Sequence, residues 1–267
     1  MRAGAPPRYY ARPGGKLRPG AGPSRLVPNS HRHAAVLRLE PCLWPALMSR
    51  LIRLAALALA SLYLTVWPHE LGHAIAAYRL GCKADWWSTY TRLLLAGSGP
   101  GAIRLRCLAA RGPDAMAVVA GAGIAVNLVL LAAALAAAHL ALRRGGAAAR
   151  STLVLAAVVL ALTEGAEAFS YLVLNGLLPR ADVALLISTT GLEGWVWTAA
   201  GLLFLVPTVL ALRRPLASAA ATLAVPGAAG TWRRVLVAGA VALTLFIGAY
   251  RVVAHPAPTP GMAGFEL

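Results

Sequence analysis

The stretch LAALALASLYLTVWPHELGHAIAAYRL, residues 54–80, decides how this chain is read. It is apolar almost throughout and long enough for the roughly 20 residues that a helix needs to cross a bilayer. Near its end stands His69-Glu70-Leu71-Gly72-His73, an H-E-x-x-H pattern. On a helix, residues four apart share one face about a turn apart. Both imidazoles can therefore ligate one Zn²⁺, with Glu70 beside them to act as a base on water. In a soluble protein such a pattern arises by chance, and a histidine pair is often a surface or capping feature. In a lipid-facing segment two histidines and a glutamate are costly, and by default they mark function.

Composition agrees with a membrane setting. The chain is 59% hydrophobic and 13% charged, with mean hydropathy +0.68, against about 25% charged residues in a typical soluble domain. Lys and Arg total 25 against 9 acids. A nucleic-acid binder would gather that excess on one soluble face. Here it falls in an N-terminal stretch and at the ends of apolar segments, so the expected partner is the lipid bilayer, with anionic headgroups, and not nucleic acid. Only Lys16 and Lys83 are lysines, which points to a GC-rich genome. Cys42, Cys82 and Cys107 lack zinc-knuckle or redox spacing. Cys82 and Cys107 flank one loop and would pair in an oxidising compartment, but buried free thiols are the expectation.

Residues 1 to about 44 are rich in Pro, Gly and Arg and read as a basic disordered tail. Met48 opens an ordinary beginning for a membrane protein, so the tail is a candidate start-site artefact. Five apolar segments qualify as spans: about Pro45–Leu80, Asp114–Leu142, Ser151–Leu178, Gly191–Leu212 and Trp232–Ala254. Pro68 predicts a kink in the first. Between the first two lies a basic, Gly-rich loop at about 81–113. Within it Ile103–Leu108 alternates apolar and polar residues as a strand would, leaving room for a short hairpin. The expected fold is thus an all-α polytopic membrane protein with about five transmembrane helices and a short β-hairpin between the first and second.

Helix order brings other polar residues into play. If the helices alternate, the first and third end on one membrane side. Asp182, just past the third, then approaches the motif, where its carboxylate could complete a two-His-one-carboxylate site. Asn127 lies about 13 residues into the antiparallel second helix, roughly 20 Å deep, and His69 roughly 16 Å from Leu80. At these similar depths Asn127 is either a hydrogen-bond donor at the reacting centre or an interhelical contact. Glu164 and Glu167, three apart on the third helix, would pair with arginine, line a water-filled cavity or supply the third ligand, with the first two roles favoured over ligation.

These residues resemble the site-2 protease family of intramembrane zinc metalloproteases, in its compact branch without a PDZ domain. Three pieces carry the resemblance over about residues 60–205: His69 to Ala74 with the following Gly81; Ala120-Gly121-Ala122-Gly123-Ile124-Ala125-Val126-Asn127; and Arg180 to Leu186 with Thr190-Gly191 and Trp195. In the third piece Val183 follows Asp182, where the larger branch has Leu-Asp-Gly, and Ala181 replaces a serine. The resemblance implies a multi-pass protein of a bacterial inner or plasma membrane; the fifth helix lies outside it, and the apolar segments set the expected transmembrane metalloprotease domain at 45–255, with a short tail at 256–267. The resemblance also implies Zn²⁺ held by His69, His73 and Asp182, Glu70 as catalytic base, Asn127 assisting the oxyanion, and a membrane protein or peptide as substrate.

Two other classes compete. A zinc-fold binding or chaperone module would not need Glu70. A small proton-coupled transporter using Glu164 and Glu167 would leave the H-E-x-x-H pattern unexplained. Counted from Met48, the positive-inside balance is nearly even. The resemblance, which implies zinc nearer the cytoplasmic face, tips the loop at 81–113 to the cytoplasm.

Overall fold

The computed structural model describes residues 43–91, 98–146, 151–223 and 229–254. Most of the basic N-terminal tail and all of the C-terminal one lie outside this range. The architecture is helical. The main elements are α1 (Leu43–Arg79), α2 (Leu105–Arg111), α3 (Pro113–Arg144), α4 (Thr152–Phe169), α5 (Asn175–Leu177), α6 (Ala181–Thr190), α7 (Gly194–Leu223) and α8 (Ala229–Ala254). A π-helical turn, Ser170–Leu174, joins α4 to α5. Among the described residues four helices are long and apolar enough to cross a membrane: Trp44–Arg79, Pro113–Arg144, Thr152–Leu177 and Gly194–Leu223. The chain reads as a multi-pass membrane protein.

The expected count of about five is not reached among these residues. In α8 only residues 235–250 separate Arg234 from Arg251, an uncharged run shorter than the roughly 20 residues of a full crossing. Conversely, α7 continues past Leu212 through Pro215, and α1 runs through Pro68 without a break in the helix.

The third span is the inner helix. Val154, Leu155 and Val158 of α4 pack with Ala138 and Ala141 of α3, Ala219, Ala220 and Leu223 of α7, and Trp232 and Leu236 of α8. Alanines at the contacts let the backbones approach closely, which is how helices associate when lipid removes the hydrophobic drive. Helix α1 lies at the periphery, with Ile52, Leu59, Leu64 and Trp67 exposed as a lipid-facing surface. Its other face carries Ser61, Thr65, His69 and His73, all buried and each four residues from the next.

Two expectations for the loop are overturned. Ile103–Leu108 is not a strand, because Leu105–Arg111 is helical. Six alternating residues also fit a helix whose Leu105, Leu108 and Ala109 share a face, and here Leu108 is buried against Ala77, Cys82 and Val119. The only β pairing among the described residues is a two-residue antiparallel ladder, Tyr90 opposite Gly99 and Thr91 opposite Ser98. Cys82 and Cys107 are not free thiols: they form a disulfide, with α-carbons 5.4 Å apart. The Arg104 amide donates to the Cys82 carbonyl at 2.9 Å, and the first turn of α2 then carries Cys107 over Cys82.

Candidate metal centre

The centre is assembled from three side chains on two helices. α1 supplies His69 and His73, and α6 supplies Asp182 in its first turn. His69 Nε2 and His73 Nε2 stand 3.1 Å apart. Asp182 Oδ2 lies 3.3 Å from the first and 3.4 Å from the second. These three side chains can hold a metal ion and are the only such cluster among the described residues. Both histidines are nearly buried, at 4% and 5% exposure, whereas Glu70 between them is partly exposed.

Proton placement favours a cation here. His73 Nδ1 lies 2.6 Å from the Val119 carbonyl oxygen. A carbonyl only accepts, so Nδ1 carries the hydrogen and donates it. In the neutral ring Nε2 is then an electron pair aimed at His69 and Asp182. Such a second bond to a backbone carbonyl commonly orients a metal-ligating histidine. With a proton instead of a cation in the centre, burial works to raise the Asp182 carboxyl, but the charge of a protonated His73 and hydrogen bonds from both histidines outweigh it and hold the group well below the usual carboxylate range. A carboxylate therefore faces the two imidazoles. A metal cation would take the place of the proton shared among these three converging atoms, whose separations are 3.1, 3.3 and 3.4 Å. The donor set, two imidazoles and one carboxylate, fits a divalent metal.

Helix α3 closes the other side. A Cβ built on Gly123 would lie 2.5 Å from His73 Nε2 and 2.7 Å from His69 Nε2, so only glycine lets α3 approach the pair. Gly72 plays the reciprocal part, since a Cβ there would lie 2.9 Å from the Ala122 carbonyl oxygen. Asn127 is one turn from Gly123 on the same face, 2% exposed, and its Oδ1 accepts no hydrogen bond. It shares the face that meets the histidines without bonding to a ligand through that atom.

Neither glutamate of α4 belongs to the cluster. Glu164 is buried and accepts a hydrogen bond from Thr65 Oγ1 at 2.9 Å. Glu167, also buried, follows three residues on. It is Asp182 that stands with the histidines.

Two residues at the centre escaped the sequence reading. Gly123 falls in the Gly-rich segment Ala120–Asn127, but its closeness to the imidazoles is a tertiary fact. Tyr171, on the π-helical turn, places its hydroxyl 3.0 Å from His69 Nε2 and stacks its ring on His69 with centroids 4.9 Å apart. The only sequence signal was its helical spacing from Glu164 and Glu167. Compared with known proteins, the chain matches no family model, no curated protein and no solved structure.

Proposed function

We propose that this chain is a zinc-dependent intramembrane endopeptidase of the site-2 protease kind, cutting a membrane protein in or beside a transmembrane segment. The carrying observation is the triangle of His69 Nε2, His73 Nε2 and Asp182 Oδ2, with sides of 3.1, 3.3 and 3.4 Å. A tetrahedral centre with bonds of about 2.0–2.1 Å sets its ligand atoms about 3.3–3.4 Å apart, which is the spacing of a three-ligand catalytic zinc site.

Zn²⁺ held there would supply Lewis acidity and bring the pKa of water toward neutrality. Glu70 takes the proton of the attacking water and passes it to the leaving amine. Its partial exposure suits a group that must meet water, while the ligands on either side are buried. Val119 holds His73 in the tautomer that presents Nε2. Asn127 stands on the α3 face nearest the histidines as a further hydrogen-bonding group. Ser61, Thr65 and Glu164 form a buried polar column beside the pair, and polar side chains of this kind can carry water to a site within the bilayer.

The Cys82–Cys107 disulfide favours an oxidising compartment for the loop between α1 and α3. This is opposite to the orientation implied by the resemblance, and it supports a topology with the loop end of α1 outside the cytoplasm. The reading is tested by metal analysis of purified protein together with cleavage of a transmembrane peptide in liposomes. Stoichiometric zinc with chelator-sensitive cleavage supports it. Zinc without cleavage of any membrane substrate points to a binding module.

A further inference from the structure

The hydroxyl of Tyr171 is the fourth polar atom of the centre. It lies 3.0 Å from His69 Nε2, which also meets His73 Nε2 at 3.1 Å and Asp182 Oδ2 at 3.3 Å. Tyr171 is buried, and its ring is held nearly parallel to the His69 imidazole, at 27°. Its position depends on the π-helical turn, in which the Asn175 amide bonds to the Ser170 carbonyl five residues back. The extra residue per turn re-aims the side chains that follow α4, and such bulges recur at functional sites.

The chemistry of this fourth atom differs from that of the other three. Two imidazole nitrogens and a carboxylate oxygen offer electron pairs to a cation, whereas a neutral phenol offers a hydrogen. A cation on the His69 electron pair would end its role as acceptor, and the Tyr171 O–H would then donate to an oxygen approaching the centre. In peptide hydrolysis that oxygen belongs to the scissile carbonyl and gains negative charge in the transition state. A preorganised donor aimed at developing charge is among the larger single contributions to catalysis.

We propose that Tyr171 is a catalytic residue, whose hydroxyl donates a hydrogen bond to the scissile carbonyl oxygen, with the stacked ring fixing both the hydroxyl and His69. This rests on the hydrolase reading above and gives Tyr171 the oxyanion role that the resemblance implies for Asn127. Tyr171 already bonds to His69, one of the three converging side chains, at 3.0 Å.

The test uses Tyr171→Phe, which keeps the ring and removes the hydroxyl. Cobalt-loaded wild type and variant are titrated with acetohydroxamate, whose oxygens imitate a charged carbonyl oxygen, and the visible cobalt spectrum is followed. The variant should take up cobalt and zinc as wild type does, with an unchanged spectrum before hydroxamate is added. It should then bind hydroxamate about 10-fold or more weakly, as expected for loss of a hydrogen bond to a charged group. On a membrane peptide, kcat should fall about 10²–10³-fold with KM little changed. Equal hydroxamate affinity and equal kcat would overturn the proposal and leave the peptidase reading standing. A changed cobalt spectrum or lost metal would make Tyr171 a ligand or a support for one, and would also overturn it. Weaker hydroxamate binding in a protein that cuts no peptide would keep the donor role and remove the peptidase. Absence of metal uptake by wild type would remove both.

Discussion

Gly123 of α3 sits against His73 so closely that a Cβ in its place would lie 2.5 Å from Nε2. The second span thus acts as a wall of the candidate metal centre, through a residue with no functional group of its own.

Gly123→Ala should therefore damage the centre more than the fold. The added carbon meets two ligand rings, His73 at 2.5 Å and His69 at 2.7 Å, and relieving the overlap means moving α3 or turning an imidazole. Overpacking of this kind costs about 1–3 kcal/mol, and it falls on the metal ligands. Metal analysis should find zinc lost or its affinity reduced at least about 10-fold, the scale set by disturbing a ligand's surroundings. Gly121→Ala is the control. Its nearest neighbour would be Leu186 Cδ2 at 3.9 Å, and it should bind zinc as wild type does.

The third ligand can be tested against its sequence rivals. Asp182→Ala removes one corner of the triangle and should lose zinc and activity together. Glu164→Gln keeps an oxygen to accept the Thr65 hydroxyl, and with Glu167→Gln it should retain the metal and lose at most part of the rate. Zinc retained by Asp182→Ala but lost from Glu167→Gln would reassign the ligand.

The disulfide gives a prediction of stability and one of topology. Cys82 and Cys107 close a loop of 25 residues in sequence separation, and breaking such a link destabilises by about 2–4 kcal/mol. Cys82→Ala with Cys107→Ala should lower the unfolding temperature in detergent. In intact cells, a membrane-impermeant reductant followed by an impermeant maleimide should label both cysteines of the wild type. Labelling only after the membrane is permeabilised would place the loop in the cytoplasm, as the resemblance implies.

How much of this was legible in the sequence depends on the range of each interaction. Four of the five spans expected from hydropathy are long apolar helices among the described residues, and the alignment of His69 with His73 follows from helical periodicity along one segment. That Asp182 approaches them followed from helix alternation alone. Ile103–Leu108 was misread because six residues satisfy both a period of two and a helical face, and the choice fell to the burial of Leu108 against Ala77 and Val119. The Cys82–Cys107 bond needed the 5.4 Å α-carbon approach created by that same short helix. Tyr171 was hidden for a subtler reason. A π-helical turn shifts the register by one residue, so regular helical spacing does not tell where its hydroxyl points.

The most direct test of the central claim is turnover and zinc content in Glu70→Gln. Glutamine keeps the shape of the side chain and both neighbouring imidazoles but cannot take a proton from water. The account predicts zinc content equal to wild type and cleavage of a transmembrane peptide reduced by about 10²–10⁴-fold, the scale of general base catalysis. Zinc bound and turnover retained in Glu70→Gln would contradict it.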